Sequence, residues 1–193
     1  AEPEPGQTLA FLEREHVTLF RGWPDQAARI AAHTSFPQTN LSGLTPGSLD
    51  AMLQPSLRAK PGARANVFGM TETFGPYAGY PLDRDLPDGK LGSCGRAFSG
   101  IHLRIVDLQS ARQLAPGETG RIQIGGRNIL RAICGREREQ TFTPDGWYDS
   151  GDLGSLDEDG FLYFAGRADD MIKISGASVY PSEVERALET IPG

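Results

Sequence analysis

A hydroxyl and a carboxylate follow a short apolar segment, and together they could bind a phosphate group and a metal ion. Thr71 and Glu72 come directly after Phe68-Gly69-Met70. In open α/β sheets, ligands bind at the carboxyl ends of the strands. A Thr hydroxyl can donate to a phosphate oxygen, and a Glu carboxylate is a hard oxygen ligand that suits Mg²⁺. Thr and Glu also favour helix starts, so a helix cap is the alternative interpretation.

Two acids flank a glycine later in the chain, in a pattern that suits a sugar. Asp149 and Asp152 lie on either side of Ser150-Gly151. A carboxylate accepts two hydrogen bonds in one plane, which matches the two hydroxyls of a ribose. Asp and Gly also favour turns on their own, so a solvated turn is the alternative.

A third charged segment is Gly166-Arg167-Ala168-Asp169-Asp170, which separates two stretches of β-type sequence. The Arg167 guanidinium could donate to a sugar or phosphate oxygen through its planar fork. The two acids could mark a point at which the chain swivels. A salt bridge in a surface loop is the alternative.

Composition limits the class of protein. The 193 residues include 19 Lys and Arg against 25 Asp and Glu, a formal net charge of -6 that argues against a nucleic-acid partner. No apolar stretch approaches the roughly 18 residues of a membrane span, and no basic-then-apolar leader opens the sequence. Cys94 and Cys134 are too few and too far apart for a disulfide framework or a zinc site. We therefore expect a cytoplasmic protein.

The elements that must position these side chains change in type along the chain. Leu9 and Leu12 lie one helical turn apart, Val17–Phe20 predicts a strand, and Pro24 suits the first turn of a second helix. From about residue 90, short strands alternate with Gly and Pro turns, which indicates a small barrel or sandwich. The sequence predicts an α/β part followed by a β-rich subdomain. Ser175-Gly176 then marks a hairpin turn.

Taken in order, five segments resemble the motifs of the adenylate-forming superfamily, which contains the AMP-dependent acyl-CoA synthetases. They span Asn66 to Glu185, and their agreement in order and spacing is more specific than any single motif. The segments are Gly69–Glu72 (G-x-T-E), Gly117–Ile124 (G-E-x-G-E-I-x-x), Gly146–Leu153 (G-W-x-x-T-G-D-L), Gly166–Gly176 (G-R-x-D-D-x-I-K-x-x-G) and Tyr180–Glu185 (Y-P-x-E-I-E). One departure is Asp149, at a position where a basic or small residue is frequent.

The resemblance implies a two-step reaction with ATP, Mg²⁺ and coenzyme A. A small carboxylic acid attacks the α-phosphate of ATP, and a thiol, usually that of coenzyme A, then displaces AMP. Phe68 would stack on adenine with Gly69 beside it, and Thr71 would hold the α-phosphate as a catalytic residue. Glu72 would be the second catalytic residue and would bind Mg²⁺.

The remaining roles implied by the resemblance concern the ribose and the second half-reaction. Asp152 would bind the ribose hydroxyls and Arg167 would support it. Asp169 would be the hinge of a small C-terminal domain, and Gly176 would keep the coenzyme A channel open.

The resemblance also implies a domain layout. Residues 1–89 would end the α/β subdomain and carry the G-x-T-E motif, and residues 90–165 would form the β-rich, barrel-like subdomain. Residues 166–170 would be the hinge, and residues 171–193 would begin a small α+β C-terminal lobe. The chain would thus hold the C-terminal part of a large N-terminal domain and the start of the small domain.

The family's Lys-Gly loop for pyrophosphate and its late C-terminal Lys have no counterpart in this sequence. We therefore expect an excerpt of a ligase that is inactive in isolation, because loss of one such electrostatic group costs about 10²–10³ in rate. Two alternatives are an amino-acid adenylation domain and a non-catalytic nucleotide-binding or scaffold remnant. The sequence makes no prediction of the acid or of the oligomeric state.

Overall fold

The computed structural model describes residues 4–170, 172–174, 177–179, 181, 184, 187 and 188. The chain forms two compact units. The first comprises Ala1–Ala65 with Pro81–Leu91, and the second comprises Asn66–Tyr80 with Gly92–Gly193. Within the described residues, no helix is both long and apolar enough to cross a bilayer.

The first unit contains two helices that pack through one apolar face each. Helix α1 spans Pro5–Arg14, where the Glu4 side chain caps the amino end by accepting from the Gln7 N–H at 3.0 Å. Helix α2 spans Pro24–Ala31 and begins at a proline, whose missing N–H would have no helical partner at that position. The core between them is apolar and consists of Leu9, Leu12, Ala27, Ile30, Leu44, Met52 and Leu53.

The strand expected at Val17–Phe20 does not form, so that prediction is wrong. Its carbonyl groups accept from a bend in the chain instead of from a neighbouring strand: Thr45 N donates to Thr18 O at 2.8 Å, and Leu49 N donates to Phe20 O at 3.0 Å. The rest of the unit uses single turns of 3₁₀ helix at Phe36–Gln38, Asp50–Met52 and Pro55–Leu57.

The second unit begins with a small antiparallel sheet. Strands β1 (Phe68–Met70), β2 (Gly75–Gly79) and β3 (Arg96–Ala97) lie in the order β1-β2-β3. Strand β1 pairs antiparallel with β2, so Thr71 and Glu72 lie at the end of a strand in a small antiparallel sheet rather than in an open α/β sheet. The G-x-T-E segment lies in this unit because β2 pairs with β3, which follows residue 90.

A four-stranded antiparallel sheet forms the larger part of the second unit. Its strands β4 (Ile101–Val106), β5 (Gly120–Gly126), β6 (Tyr148–Leu156) and β7 (Leu162–Arg167) lie in chain order. Cys94 N donates to Leu162 O at 2.7 Å, which connects β7 to the segment that leads into β3. One apolar core cluster of this unit contains Tyr77, Ala78, Cys94, Ile101, Ile105, Ile122, Ile124 and Leu162.

Strand β6 changes the interpretation of the Asp149–Asp152 segment. The solvated turn that was the alternative there is wrong, because these residues lie within a nine-residue strand and Asp152 is only 6% exposed. Two short strands, β8 (Ile172–Ile174) and β9 (Ala177–Val179), then pair antiparallel as the hairpin signal predicts. The predicted turn residues Ser175 and Gly176 lie outside the described residues.

Candidate functional site

Phe68 on β1 provides the aromatic surface of the candidate site. The Phe68 side chain is half-buried, and its ring centroid lies 4.7 Å from that of Phe164 on β7. The Tyr77 ring on β2 packs edge-on against the Phe68 ring, with 5.5 Å between the two ring centroids. Two aromatic neighbours hold the ring in place while part of it stays accessible, so it can stack against a flat base.

Gly69 has a structural requirement of its own. A Cβ atom at this position would lie 2.6 Å from the carbonyl oxygen of Gly75 on the paired strand. Real Cβ atoms do not come this close to backbone, so β1 and β2 can pair here only because residue 69 is a glycine.

Thr71 and Glu72 lie in a single 3₁₀ turn directly after β1, at Thr71–Thr73. The Thr71 hydroxyl donates to Glu72 Oε2 at 3.0 Å, and no side chain caps the turn. The helix-cap interpretation is therefore wrong for this hydroxyl. Thr73 is the residue that secures the turn, since its hydroxyl lies 3.0 Å from the carbonyl oxygen of Met70 and 2.7 Å from that of Gly75.

Asp152 and Arg167 form an ion pair across β6 and β7, where the two residues are direct partners in the strand register. Arg167 Nη1 donates to Asp152 Oδ1 at 2.9 Å and to the Ser150 carbonyl at 3.1 Å. Arg167 Nε donates to Asp169 Oδ1 at 3.1 Å. One guanidinium therefore joins the candidate ribose residue to the candidate hinge residue.

Burial raises the pKa of Asp152 above its ordinary value, and the hydrogen bond from Arg167 opposes that rise. Burial also raises the pKa of Tyr77, and the Asp152 carboxylate adds to that shift. Asp152 thus acts electrostatically on Tyr77, whose ring contacts Phe68. Residues that are 84 positions apart in the sequence, Phe68 and Asp152, are linked through one tyrosine.

Glu72 is linked to the same sheet through β6. Burial raises the pKa of Tyr148 at the start of β6, and the nearby Glu72 carboxylate adds to the shift. The Glu72 carbonyl also accepts from Leu130 N at 2.8 Å. These contacts bring the hydroxyl–carboxylate pair of residues 71 and 72 to the same unit as Phe68, Asp152 and Arg167.

Glu72 could supply one carboxylate ligand to a Mg²⁺ ion whose other ligands come from a phosphate-bearing substrate and water. Within the described part of the chain, no cluster of three or more His, Cys, Asp or Glu side chains could hold a metal ion. Mg²⁺ commonly takes one or two carboxylates and completes its shell with substrate phosphates and water, and a single half-buried carboxylate meets that need. Gly176, the expected channel residue, lies outside the described residues.

Three aromatic residues of the site, Tyr77, Tyr148 and Phe164, were not indicated by the sequence patterns. Tyr77 is fully buried, and its hydroxyl has no hydrogen-bond partner among the described residues. The available signal was weak, because an aromatic side chain in a β-strand is ordinary core. Tyr77 and Phe164 lie in different sheets, and both contact the Phe68 ring.

Two cavities lie away from these residues. A volume of about 240 Å³ opens in the first unit beside Phe20, Arg21 and Ile30, and another of about 310 Å³ lies beside Asn40, Met52 and Arg58. No candidate site residue lines either one. Neither cavity is therefore part of the candidate site.

Comparison with known proteins identifies the class. Residues 1–133 match the family described as AMP-binding enzyme, and the chain belongs to that family and to the adenylate-forming superfamily. The fold class predicted from the sequence is confirmed by solved structures of such enzymes. One is ATP-bound MatB from Rhodopseudomonas palustris, with a TM-score of 0.75 and 26% identity over 100% of this chain and 39% of that one.

Two curated relatives illustrate the range of the family. A feruloyl-CoA synthase of an Amycolatopsis species is 33% identical over 98% of this chain and 39% of its own length. The nonribosomal peptide synthetase apvA of Aspergillus terreus is 37% identical over 65% of this chain and 14% of its own length. The chain therefore spans about 39% of the length of the synthase that it matches nearly throughout.

Proposed function

We propose that the complete protein is an ATP-dependent acid–thiol ligase. A carboxylate oxygen of the acid attacks the α-phosphorus of ATP, the bond to the β-phosphate breaks, and pyrophosphate leaves with that electron pair. The thiol of coenzyme A then attacks the acyl carbon and loses its proton to the surroundings. The carbon–oxygen bond to AMP breaks and AMP leaves. The activity belongs to the complete protein, because this chain spans only about 39% of such a relative.

The observation that carries the proposal is the presence in one unit of the Phe68 ring, which packs against Tyr77 and Phe164, and the buried Asp152 carboxylate, which accepts from Arg167 at 2.9 Å. An aromatic ring and a buried carboxylate in one unit match the two ends of an adenosine. The ring would stack on adenine, and the carboxylate would accept hydrogen bonds from the ribose hydroxyls. Arg167 would keep Asp152 ionised, since a nearby cation favours the charged form of an acid.

Thr71 and Glu72 would act on the phosphates. Negative charge develops around the α-phosphorus during the first step, and fixed donors at that position lower the barrier. The Thr71 hydroxyl would turn from Glu72 to a phosphate oxygen, which frees the Glu72 carboxylate for Mg²⁺. When bound, the ion would neutralise phosphate charge. Gly69 would allow β1 to pair closely with β2, so that the 3₁₀ turn at Thr71–Thr73 lies directly below the adenine base.

The hinge and channel roles extend the proposal to the second step. Asp169 would be the pivot of residues 166–170. The hydrogen bond from Arg167 to Asp169 supports this, because a rotation at Asp169 would displace Arg167 and so alter its pair with Asp152. Gly176 would line the channel for coenzyme A, where a side chain would obstruct the thiol. The layout of residues 1–89, 90–165 and 171–193 stays a prediction, and the pairing of β2 with β3 favours grouping the G-x-T-E segment with residues 90–165. We expect a cytoplasmic protein.

The full-length protein that contains this chain tests the proposal. Acid-dependent exchange of labelled pyrophosphate into ATP should appear with at least one member of a panel of carboxylic acids that includes ferulate. A thioester should form when coenzyme A is added. Asp152→Ala should abolish exchange while its circular dichroism spectrum remains that of the wild type. Absence of exchange with every acid, together with no detectable AMP binding, would overturn the proposal and favour a scaffold remnant.

An amino-acid adenylation domain is the second candidate, and the match to the peptide synthetase apvA over 65% of the chain favours it. The first half-reaction would be the same, but the acyl group would pass to the thiol of a carrier domain. Exchange that depends on amino acids, with no thioester formed on free coenzyme A, would select this candidate.

A further inference from the structure

Strand β6 bulges at the residues that present Asp152. In the register of β5 and β6, Gln123 lies opposite Asp149 and Arg121 lies opposite Leu153. Three β6 residues therefore face a single β5 residue, and Gly151 within them has φ +73°. A bulge of this kind redirects a side chain at the cost of unpaired backbone groups, so other contacts must hold it.

Asp149 holds the first half of the bulge. Its Oδ1 accepts from Gly151 N at 3.1 Å, and its Oδ2 accepts from Arg121 Nη1 at 2.9 Å. The Asp149 side chain is 29% exposed and that of Arg121 is 36% exposed. One carboxylate therefore connects the neighbouring strand to the backbone of the bulge.

The second half of the bulge contains Asp152, the residue that we propose binds the ribose. The Ser150 carbonyl accepts from Arg167, and the Ser150 hydroxyl donates to Ile122 O at 2.8 Å. The Gly151 carbonyl accepts from Ala168 N at 2.8 Å. A displacement of Gly151 would therefore move the Asp152–Arg167 pair and the start of the predicted hinge.

We propose that Arg121 and Asp149 are positioning residues, which hold the Ser150–Asp152 bulge in the geometry that lets Asp152 and Arg167 bind the nucleotide. This inference rests on the proposed function of Asp152. A half-exposed ion pair adds little to folding stability, so its main effect should be on geometry. Small displacements of a binding group are costly, and we expect about tenfold weaker nucleotide binding when the link is removed.

The test compares variants of the full-length protein by calorimetry with AMP. Asp149→Ala removes both bonds and should raise the Kd for AMP about tenfold, whereas Arg121→Gln keeps the bond to Gly151 and should raise it about threefold. Asp145→Ala is the matched control, because it breaks another Arg–Asp pair, to Arg104 on β4, and the Asp145 side chain bonds to Arg104 and Thr143 rather than to residues 149–152. It should leave the Kd within about twofold.

A second measurement does not depend on the nucleotide. Amide hydrogen exchange of a peptide that contains Gly151 should accelerate in Asp149→Ala and, less so, in Arg121→Gln, while the Asp145→Ala protein should match the wild type. Equal Kd values for Asp149→Ala and Asp145→Ala, or unchanged exchange at Gly151, would overturn this inference alone. A wild-type protein that binds no AMP would overturn the proposed function and this inference with it.

Discussion

Two arginine–aspartate pairs in the second unit join the same side-chain types, but the pKa values of the two acids shift in opposite directions. Arg104 holds Asp145 through both carboxylate oxygens, at 2.6 and 3.1 Å, and the Asp145 side chain is 56% exposed. Arg167 holds Asp152 at 2.9 Å, and the Asp152 side chain is 9% exposed. Hydrogen bonds from Arg104 and Thr143 lower the pKa of Asp145 to about 2, whereas burial raises the pKa of Asp152.

The difference shows that burial, rather than the presence of an arginine, sets the character of these acids. Asp145 keeps its water and gains a cation, so its charged form is favoured. Asp152 loses its water, and Arg167 does not fully replace it. A buried, ionisable acid with unfavourable solvation is a feature of binding and catalytic sites, where a ligand supplies the missing hydrogen bonds.

The largest effect should come from Asp152→Asn. The substitution removes the charge that, in the proposed function, would accept the ribose hydrogen bonds, and hydrogen bonds to charged groups are worth about 1.5–3 kcal/mol. We expect AMP binding to weaken by about 10²-fold. The free energy of unfolding at pH 7 should stay equal to that of the wild type or rise, because the variant no longer buries an ionised carboxylate. Calorimetry and urea unfolding of the same preparation measure both quantities. A marked loss of stability would contradict this interpretation of the pair.

Substitution of Gly151 should have two measurable effects. The left-handed backbone lowers the free energy of unfolding, and the displacement of Arg167 weakens AMP binding. Gly151 has φ +73°, and a Cβ there would lie 2.9 Å from Arg167 Nη2. Gly151→Ala should therefore cost roughly 1–2 kcal/mol of stability for the left-handed backbone. It should also weaken AMP binding several-fold, because the guanidinium must move away from Asp152.

Gly146→Ala is the matched control for that substitution. Gly146 has φ +86°, and nothing lies within 4 Å of a Cβ built there. Urea unfolding should give a similar loss of stability for both variants, and calorimetry should find weaker AMP binding only for Gly151→Ala. Equal AMP affinities for the two variants would show that the position of Arg167 does not matter.

The sequence predicted the family, the fold class and a set of candidate residues that lie in the second unit, among them Phe68, Thr71, Glu72 and Asp152. Phe68, Thr71, Glu72 and Asp152 were found because a recurring motif places each residue type at a fixed spacing. Tyr77 could not be found in this way, because its proximity to Asp152 depends on how β1 and β2 lie against β6. Nothing local in the sequence encodes that arrangement.

Asp149 is a second residue whose contacts could not be predicted from the sequence. The sequence offered no reason for an acid at that position. The structure pairs it with Arg121, which stands where the G-E-x-G-E-I motif has a glutamate, so two departures from the motifs compensate each other. Their contact depends on the register of β5 with β6 and on a bulge in between, and a shift of one residue would send the two side chains to opposite faces. Register of this kind is not visible in the periodicity of either strand.

The pH dependence of stability should differ in sign between the two acids. Asp152 has a folded pKa above its unfolded value of about 3.9, so its contribution to stability is present at low pH and is lost as pH rises through the folded pKa. Asp152→Asn should therefore gain stability relative to the wild type as the pH increases from about 3.5 to 7. Urea unfolding across that range measures the difference. A constant difference would mean that burial does not raise the pKa of Asp152.

Asp145→Asn should give the smallest effect and the opposite sign. The folded pKa of Asp145 is about 2, below its unfolded value, so its contribution is present above the unfolded pKa and is lost as the pH falls towards 2. The variant should be slightly less stable than the wild type at pH 7, and the difference should shrink below about pH 4. The effect should be small because exposed pairs are screened by water and salt. AMP affinity should not change, and a change as large as that of Asp152→Asn would show that the exposed pair also belongs to the nucleotide site.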